Sequence, residues 1–365
     1  GSGYIIQKSI EKDIYVSEKN ILNCFDGDLV EFEMISNREA KIINVKERRK
    51  KRFVGIVRKE KRNVFVYTTG RKDKVEFYIK NKTKAKDGEI VVIEFKNWDR
   101  EFPEAEIIKT IGEQGVVDNE IHAILEEYSL PYSFSEKNIK EAASLSSHHS
   151  KEEYKKRKDL RETTTLTIDP EDAKDFDDAI SIEKKKTETK IGIHIADVSH
   201  FLKKGTDLDK EAYIRGTSVY LVDRVVPMLP ESLSNNLCSL RPNEEKLTFS
   251  IIFSFNSQGK ITSTWAGKTI INSNHRFSYK EAQFIIENKT TKIPSEISLT
   301  KKEYKINSKL RDGVILLNEI AKKLRKERIS QGSILFNKKE VGFVLNKEKE
   351  PVDTIIKESR ESNNL

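Results

Sequence analysis

The sequence predicts a multidomain protein in which two small all-β barrels precede a larger α+β domain. The chain has 365 residues, which is long for one domain and sufficient for two or three. Short β-like runs follow one another closely as far as residue 113, as they do in small barrels and sandwiches. Beyond residue 163, β-like runs alternate with amphipathic helical patterns, which indicates an α+β domain.

Composition and charge narrow the class of protein. Hydrophobic residues make up 36% and charged residues 35% of the chain, which is polar for a globular protein but too apolar and too patterned for wholesale disorder. The net charge of +8 favours an anionic partner. No apolar run approaches the roughly 18 residues that a membrane span needs, so we expect no membrane association.

The cysteines and the first residues bear on where the protein works. Cys24 and Cys238 are far apart in the sequence and have neither metal-ligand nor redox spacing. A reducing, cytoplasmic setting is therefore expected. Residues 1–3, Gly-Ser-Gly, are typical of the remnant of an expression tag, and no signal peptide follows them.

Residues 4–46 are predicted to form the first barrel, in whole or in part. Their β-like runs are YIIQ, DIYV and DLVEFEMI, and the turn residues Asp26-Gly27-Asp28 interrupt them. Residues 1–40 carry four basic and eight acidic groups, a net charge of −4. The runs therefore predict a barrel that is much less basic than the segment after it.

Residues 47–113 are predicted to form a second barrel, and residues 41–86 carry eighteen basic and four acidic groups, a net charge of +14. Aromatic residues alternate here with Lys and Arg, a pattern typical of an oligonucleotide-binding (OB) barrel that stacks bases and tracks phosphates. Alternatively, the rings form the barrel core and the lysines solubilise the surface. About half of the rings are expected in the core, because strand side chains alternate between faces. The candidates for nucleic-acid binding are Phe65, Tyr67, Lys80, Lys82, Lys84 and Lys86, with Phe77 and Tyr78 in the same pattern.

Residues 114–162 are predicted to be a linker with helical pieces. EIHAILEEYSL, over residues 120–130, places four apolar side chains on one stripe of a helix, which Pro131 ends. The stretch that follows is charged and Ser-rich, which favours a linker. We interpret His148 and His149 within it as exposed polar residues rather than metal ligands.

Residues 163–365 are predicted to form the α+β domain. TTTLTI and AISIEK are β-like runs, and IGIHIADVSHF contains a buried strand. A helix with Asp207 as its N-cap is predicted next, and a β-hairpin follows around residues 257–259. A long amphipathic helix is predicted over residues 304–329, and two β-like runs, SILFNKK and VGFVLNKEK, come after it.

The most informative segment of this domain is the acidic run TIDPEDAKDFDDAISI. It holds six carboxylates within residues 169–178, in a chain that is otherwise basic. Like charges this close repel one another unless a cation neutralises them. Carboxylates at the ends of two strands are the hard oxygen ligands that Mg²⁺ and Mn²⁺ prefer. The run therefore predicts a metal site rather than a solvated loop, with Asp169, Asp175, Asp177 and Asp178 as the candidates.

A metal ion at these carboxylates, near a basic nucleic-acid track, would suit phosphodiester hydrolysis. The sequence has no Ser-His-Asp or Cys-His arrangement that competes with this chemistry. His194 lies in an apolar strand and is interpreted as a core residue, while His200, nearer a strand end, stays unassigned. Nor is the run an EF-hand, since its sixth position from Asp169 is Lys174 rather than Gly and its twelfth is Ile180 rather than Glu.

Two longer stretches carry a family resemblance. TIDPEDAKDFDDAISI, followed by IGIHIADVSHFLKKGTDLDKEAYIRGTSVYLVDRVVPMLPESLSNNLCSLRPNEEKLTFS, resembles the catalytic domain of the ribonuclease II / ribonuclease R family. The N-terminal half is similar to the family's tandem cold-shock-type barrels, and EIHAILEEYSLPYSF resembles the segment that connects them to the catalytic domain. The resemblance covers nearly everything after residues 1–3.

The resemblance implies a processive 3′→5′ exoribonuclease that degrades single-stranded RNA to nucleoside 5′-monophosphates with Mg²⁺, for which Mn²⁺ can substitute. The four aspartates of the family fall on Asp169, Asp175, Asp177 and Asp178. The first, second and fourth would hold the metal directly or through water. Asp177 would orient the 3′-terminal nucleotide, and its loss is expected to affect the chemical step most.

The resemblance also implies RNA contacts outside the acidic run. The aromatic clamp of the family falls on Tyr220, in TSVYLVD, and on Phe336, in GSILFNKK. For each ring the alternative is ordinary core packing. Arg241, in SLRPNE, and Arg276, in NHRFSY, match basic positions that either contact phosphate or brace the site. Contacts to the 2′-hydroxyl would distinguish RNA from DNA.

The chain departs from the family in one respect. The family's catalytic domain continues beyond the sequence ESRESNNL, with helices that carry a catalytic-site Glu and Arg and then a third RNA-binding barrel. Without those parts the polypeptide is expected to bind metal and RNA with little or no turnover. Two hypotheses stay open, an active monomeric exoribonuclease and a catalytically weak or inactive RNA-binding module of the same family. A metal-dependent DNA nuclease is a remote third.

Overall fold

The structure, a computed structural model, describes residues 1–7, 13–70, 74–99, 101–334, 340–357 and 359–365. The chain divides into two compact units, Gly1–Tyr132 and Ser133–Leu365. Within the described residues, no helix is both long enough and apolar enough to cross a bilayer.

The first four strands are short and form two separate ribbons. They are β1 (Gly3–Ile5), β2 (Ile14–Val16), β3 (Leu29–Met34) and β4 (Ala40–Glu47). Strand β1 pairs with β2 and β3 with β4, both antiparallel, around a small core that contains Val16 and Ala40. In the described part of residues 4–46 these strands form two ribbons rather than a closed barrel, and a single parallel bridge between Tyr15 and Glu39 connects the ribbons.

The second predicted barrel is closed and lies in the first unit. Its strands follow the order β5-β6-β7-β9-β8 around the barrel. Large apolar side chains such as Phe53, Phe77 and Ile93 fill its interior, and Phe25, from the segment before it, packs among them. A closed barrel leaves no strand edge unpaired, which explains how a segment this basic forms a stable sheet. The strands are β5 (Arg52–Glu60), β6 (Asn63–Thr68), β7 (Glu76–Ile79), β8 (Glu89–Asn97) and β9 (Glu104–Glu113).

The predicted linker contains three helices. The first, α1 (Val117–Glu127), starts three residues before the predicted one and packs its Ala123 on the barrel strands through Val54 and Ile90. The other two belong to the second unit. They are α2 (Glu136–Ser144) and α3 (Lys151–Lys155), with Ser135 and Ser150 as N-caps.

The second unit is built on a mixed sheet. Its strands are β10 (Lys158–Asp159), β11 (Thr164–Asp169), β12 (Asp178–Lys184), β13 (Glu188–Ala196), β14 (Val219–Tyr220), β15 (Val225–Val226), β16 (Glu245–Asn256), β17 (Ile261–Asn272), β18 (His275–Ser278), β19 (Lys292–Ile293), β20 (Tyr304–Lys305), β21 (Glu340–Leu345) and β22 (Pro351–Lys357). Among the described residues, seven of them form one sheet in the order β10-β17-β16-β13-β12-β11-β18. The pairs β10·β17 and β11·β18 are parallel and the others are antiparallel.

Helices and loops cover the two faces of this sheet. One face carries a core that contains Leu166, Ile191 and Val314, and the other carries a core that contains Ala179 and Leu240. The helices of the unit after α3 are α4 (Val198–Phe201), α5 (Asp207–Arg215), α6 (Tyr279–Asn288) and α7 (Ser308–Ser330), and single helical turns cover Leu233–Leu237 and Glu361–Asn364. Because strand residues alternate between faces, a sheet packed on both sides needs buried residues at successive positions, as β11 has at Thr165, Leu166 and Thr167.

Two further boundaries of predicted helices are wrong, each for a local reason. The N-cap of α5 is Thr206 rather than Asp207, since the Thr206 hydroxyl accepts a hydrogen bond from the Asp209 amide at 3.2 Å. The helix predicted from residue 304 begins at Ser308, because Tyr304 pairs with Ile293 in a short ribbon. The predicted strands β11 and β12 and the β16–β17 hairpin are confirmed, while much of SILFNKK lies outside the described residues.

Candidate active site

The acidic run connects two neighbouring strands of the sheet. Asp169 is the last residue of β11 and is buried, and Asp178 is the first residue of β12. The two strands are antiparallel, so the end of one lies beside the start of the other. The sheet therefore places these two carboxylates at one edge, with Asp175 and Asp177 in the loop between them.

Backbone and side-chain hydrogen bonds hold this loop in place. Phe176 lies in the core, where its amide donates to Ser239 Oγ at 3.0 Å and its carbonyl accepts from the Leu240 amide at 2.8 Å. The Ala196 amide donates to the Asp177 carbonyl at 3.0 Å. The backbone positions of the neighbouring aspartates are thereby fixed by the fold of the loop.

Arg276 braces the loop from the other side. Its Nη2 donates to the carbonyls of Pro170 and Glu171 at 2.8 and 2.9 Å, and its guanidinium lies 4.7 Å from the centre of the Phe176 ring. Of the two roles considered for this residue, the bracing contacts are present in the structure.

The carboxylates are close enough to perturb one another. Burial, together with the charge of Asp178, raises the pKa of Asp169 to about 6. Loss of solvent and the charges of Asp175 and Asp178 raise the pKa of Asp177. Burial and the charges of Asp169 and Asp178 also raise the pKa of the Tyr279 hydroxyl. The four aspartates therefore form one electrostatic cluster, with Tyr279 at its side.

The donor set of this cluster fits a divalent cation. In the described residues, no group of three His, Cys, Asp or Glu side chains already has the spacing of ligands around one metal ion. The chemistry of the cluster still suits one, because buried Asp169 Oδ2 has no hydrogen-bond partner among the described residues and the negative charges of Asp175 and Asp178 are offset only by Arg276. A hard cation would satisfy that oxygen and relieve the repulsion.

Beside the cluster there is room for a small ligand. A cavity of about 180 Å³ is lined by polar groups of Asp178, Tyr279 and Ser362 together with apolar residues of β11 and β12. Sequence reasoning missed Tyr279. The signal that could have found it is the parallel pairing of β18 with β11, which puts Ser278 level with Asp169 and so brings the next residue to the same edge.

Tyr220 lies in the ribbon β14–β15 with its ring exposed. Its exposed fraction is 68%, so core packing does not explain this residue. Its hydroxyl donates to Asp175 Oδ2 at 3.4 Å, which places the ring next to the carboxylate cluster. Phe336, the other candidate for the clamp, lies outside the described residues. Arg241 is exposed and contacts Asn236 and Glu244.

The histidines contribute nothing to this cluster. His194 is fully buried and its Nδ1 hydrogen-bonds to Ser250 Oγ at 2.6 Å, as expected of a core residue. His148 is exposed, as predicted. His149 is half-buried instead, because it packs edge to face on His200 at 5.0 Å between ring centres.

The aromatic residues of the barrel divide between core and surface. Phe77 is fully buried, while Tyr67 is 40% exposed. Phe65 is intermediate in exposure and is in edge-to-face contact with Tyr78 and Phe102. The expected division of the rings is thus present, with Tyr67 exposed, Phe65 and Tyr78 partly exposed and Phe77 in the core.

The lysines after β7 lie on an extended segment with a fixed orientation. Lys82, Lys84 and Lys86 are exposed, and the residues between them turn inward. Asn81 holds the segment on the barrel by hydrogen bonds to both the amide and the carbonyl of Ile107, each 3.0 Å long. Lys80 differs, since it forms an ion pair with Glu104 at 3.1 Å.

Comparison with known proteins identifies the family. Residues 157–365 match the RNB domain, which is more than half of the chain, and residues 65–135 match the cold shock domain. The chain belongs to the RNB-domain family. The predicted fold class, cold-shock-type β-structure followed by a ribonuclease II-type catalytic domain, and the resemblance to ribonucleases II and R are confirmed.

Relatives of the RNB-domain chain include ribonuclease R of Aquifex aeolicus, which is 35% identical over 348 residues, or 93% of this chain and 48% of the relative. Among solved structures, Mycoplasma genitalium RNase R in complex with ribose-methylated single-stranded RNA matches with a TM-score of 0.85 at 24% identity, over 100% of this chain and 57% of that one. Yeast Ssd1, a pseudonuclease, matches in fold with a TM-score of 0.68 at 17% identity, over 92% of this chain and 48% of that one. The chain spans about half the length of the curated relatives it matches.

Proposed function

We propose that this RNB-domain chain is a Mg²⁺-dependent exoribonuclease that shortens single-stranded RNA processively from its 3′ end and releases nucleoside 5′-monophosphates. The observation that carries the proposal is the cluster of four aspartates at one edge of the sheet, in which the pKa values of Asp169 and Asp177 are raised. Single-stranded RNA is the proposed partner. A monomeric state and a cytoplasmic location stay predictions.

The metal would be held by Asp169, Asp175 and Asp178, with Mn²⁺ as a substitute for Mg²⁺. When bound, such an ion polarises a phosphoryl oxygen and lowers the pKa of a water molecule. The hydrogen bonds of Phe176 and Arg276 fix the loop between Asp169 and Asp178. Contacts behind the metal ligands thus hold their backbone in place.

The residues around the metal would hold the RNA end. Asp177 is solvent-accessible but lies in a partly desolvated cluster, and it would orient the 3′-terminal nucleotide. The Tyr220 ring is exposed beside Asp175 and offers a face on which a terminal base can stack, whatever its sequence. The barrel of the first unit would bind the RNA strand through Lys82, Lys84 and Lys86 and through exposed rings.

One observation favours the second candidate function, a catalytically weak or inactive RNA-binding module. No three carboxylates of the described residues already have the spacing of metal ligands, so binding the ion requires the side chains to move together. In that case the barrel binds RNA and the second unit serves as a platform.

A labelled-substrate assay separates the two functions. Single-stranded RNA labelled at its 5′ end is incubated with the full chain and Mg²⁺, in parallel with excess chelator and with DNA of the same sequence. We expect a ladder that shortens from the 3′ end, requires Mg²⁺ and is absent with DNA. Tight binding with uncut RNA would support the binding module, and cleavage of the DNA would point to a DNA nuclease.

Changing Lys82, Lys84 and Lys86 together to Gln is expected to weaken RNA binding equally for all sequences. The slope of log affinity against log salt should fall in magnitude by roughly 2, because each contact between a lysine and a single-strand phosphate releases about 0.7 of a counterion. Filter binding at several salt concentrations measures it. Lys96→Gln is the matched control, since Lys96 of the same barrel is already paired with Glu94 and Glu106. An unchanged slope in the triple variant would remove this segment from the RNA path.

Tyr220→Ala is expected to weaken the hold on the RNA 3′ end by about tenfold to a hundredfold, because stacking of a base on an aromatic ring contributes about 1–3 kcal/mol. The final product of digestion should also change in length. The thermal unfolding midpoint should stay within about 1 °C, since the ring is 68% exposed. Tyr213→Ala, at an 88% exposed tyrosine of α5, is the control for loss of a surface ring. A large drop in stability without a change in binding would make Tyr220 a structural residue.

A further inference from the structure

A fully buried charged side chain of the second unit lies outside the acidic cluster. The side chain of Arg157 has no exposed surface, and its Nη2 donates to Asp197 Oδ2 at 2.6 Å. Its Nε and Nη2 also contact Glu153 Oε1, at 2.8 and 2.7 Å. Its Nη1 donates to the carbonyls of Thr248 and Thr269, at 3.2 and 3.4 Å. One guanidinium thus joins a helix of the linker to β16, to β17 and to the residue that follows β13.

Asp197 is fixed as firmly as Arg157. Its Oδ1 accepts from Ser199 Oγ at 2.7 Å, and its amide donates to the Leu247 carbonyl at 3.0 Å. Burial alone would raise the pKa of Asp197, but the hydrogen bonds from Arg157 and Ser199 hold it below its usual range. The pair is therefore ionised and satisfied. Breaking it would leave buried Asp197 with only Ser199 and the more distant Lys268, at 4.0 Å, to offset its charge, which is costly.

The end of β13 that this pair fixes is also the support of the acidic cluster. Ile195 is the strand partner of Asp178, and the Ala196 amide donates to the Asp177 carbonyl at 3.0 Å. Asp197 follows directly. Residues 195–197 thus connect the buried ion pair to Asp177 and Asp178.

We propose that Arg157 and Asp197 are positioning residues, which hold the end of β13 so that Asp177 and Asp178 stay in the geometry that binds the metal and the RNA end. Neither residue touches the proposed metal ligands; both act through the backbone of residues 195–197. The expected effect on metal affinity rests on the proposed function. The expected effect on the mobility of residues 170–180 does not depend on that function.

Arg157→Lys tests the proposal, since lysine keeps the charge but loses the fork that bonds a carboxylate and two carbonyls together. In the full chain, amide hydrogen exchange of peptides that cover residues 170–180 should become about tenfold faster, while peptides of α7 stay unchanged. Affinity for Mn²⁺, measured by calorimetry, should fall about tenfold, the size typical for loss of a contact behind a metal ligand. If the wild-type chain cleaves RNA, kcat should fall and the KM for RNA should not change.

Two further variants keep the test decisive. Arg161→Lys is the matched control, because Arg161 at the same sheet edge pairs with Asp159 and Glu245 at 2.7 Å and is partly exposed. It should change none of these quantities. If Arg157→Lys does not fold, Ser199→Ala, which removes one hydrogen bond to Asp197, takes its place and should produce the same changes at a smaller size.

The possible failures are distinguishable. Unchanged exchange of residues 170–180 in a folded variant of Arg157 or Ser199 overturns the positioning role, whatever the metal data show. A wild-type chain without affinity for Mn²⁺ overturns the metal site of the proposed function, and hydrogen exchange then decides on the positioning role alone.

Discussion

Asp177→Asn is expected to lower the rate of 3′-end cleavage by about a thousandfold or more, in the range typical for loss of a charge aimed at the reacting group. The substitution keeps the shape of the side chain and leaves the backbone bond from Ala196 in place. It removes one negative charge from a cluster in which burial and two like charges already raise the pKa of Asp177. Folding stability should therefore stay the same or rise slightly, and RNA binding should be retained.

The measurement is single-turnover cleavage of end-labelled RNA, with RNA binding measured on the same protein in Ca²⁺. Asp172→Asn is the matched control, because Asp172 is an exposed carboxylate of the same loop. Cleavage by the Asp177 variant at the rate of the wild type would exclude this residue from the chemistry. A loss of RNA binding as large as the loss of cleavage would assign it to binding.

Mg²⁺ is expected to stabilise the second unit much more at pH 7.5 than at pH 4.5. The pKa of Asp169 is about 6 in the folded chain and 3.8 as its ordinary value, so the fold prefers the protonated form. Stability from this group is therefore highest below pH 3.8 and is lost as the pH rises through 6. A bound cation offsets this loss of stability only where the carboxylates are ionised. The stabilisation by the cation therefore increases as the pH rises over the same range.

At a concentration one hundred times its dissociation constant, the ion would contribute about 2.7 kcal/mol. For a unit of this size that corresponds to a rise of roughly 5–10 °C in the unfolding midpoint. Thermal unfolding with and without Mg²⁺ at the two pH values, at constant ionic strength, measures it. Asp169→Asn should be more stable than the wild type without metal and should respond little to Mg²⁺. An equal response of both proteins would contradict a metal site at Asp169.

Much of the fold follows from local sequence patterns, and the parts that do not follow depend on distant contacts. The strands on either side of the acidic run, the hairpin at residues 257–259 and the barrel of the basic segment come directly from periodicity and turn residues. The start of α7 does not, because Tyr304 is drawn into a ribbon with Ile293. The β-like runs of residues 4–46 do form strands, but their pairing into two ribbons is set by contacts between residues distant in the sequence.

The candidate site was predictable where chemistry is concentrated in the sequence. Six carboxylates in a basic chain identify the cluster without any structure. No local sequence pattern identifies Tyr279 or Arg157. Their places near the cluster depend on which strands pair in the sheet, β18 with β11 and β10 with β17. Arg157 even precedes the predicted start of the domain at residue 163, while the match to the RNB domain begins at residue 157.

The two-residue strand β10 has a practical consequence for dissecting the protein. Lys158 and Asp159 cover one edge of the sheet by pairing with Thr269 and Ile270 of β17. A fragment that begins at residue 163 lacks β10, so the backbone groups of Thr269 and Ile270 would be exposed to neighbouring molecules. Uncovered strand edges of this kind promote self-association. A cut at residue 163 would also remove Arg157, the buried cation that is hydrogen-bonded to Asp197. A soluble isolated catalytic fragment should therefore start near Ser133, where the second compact unit begins.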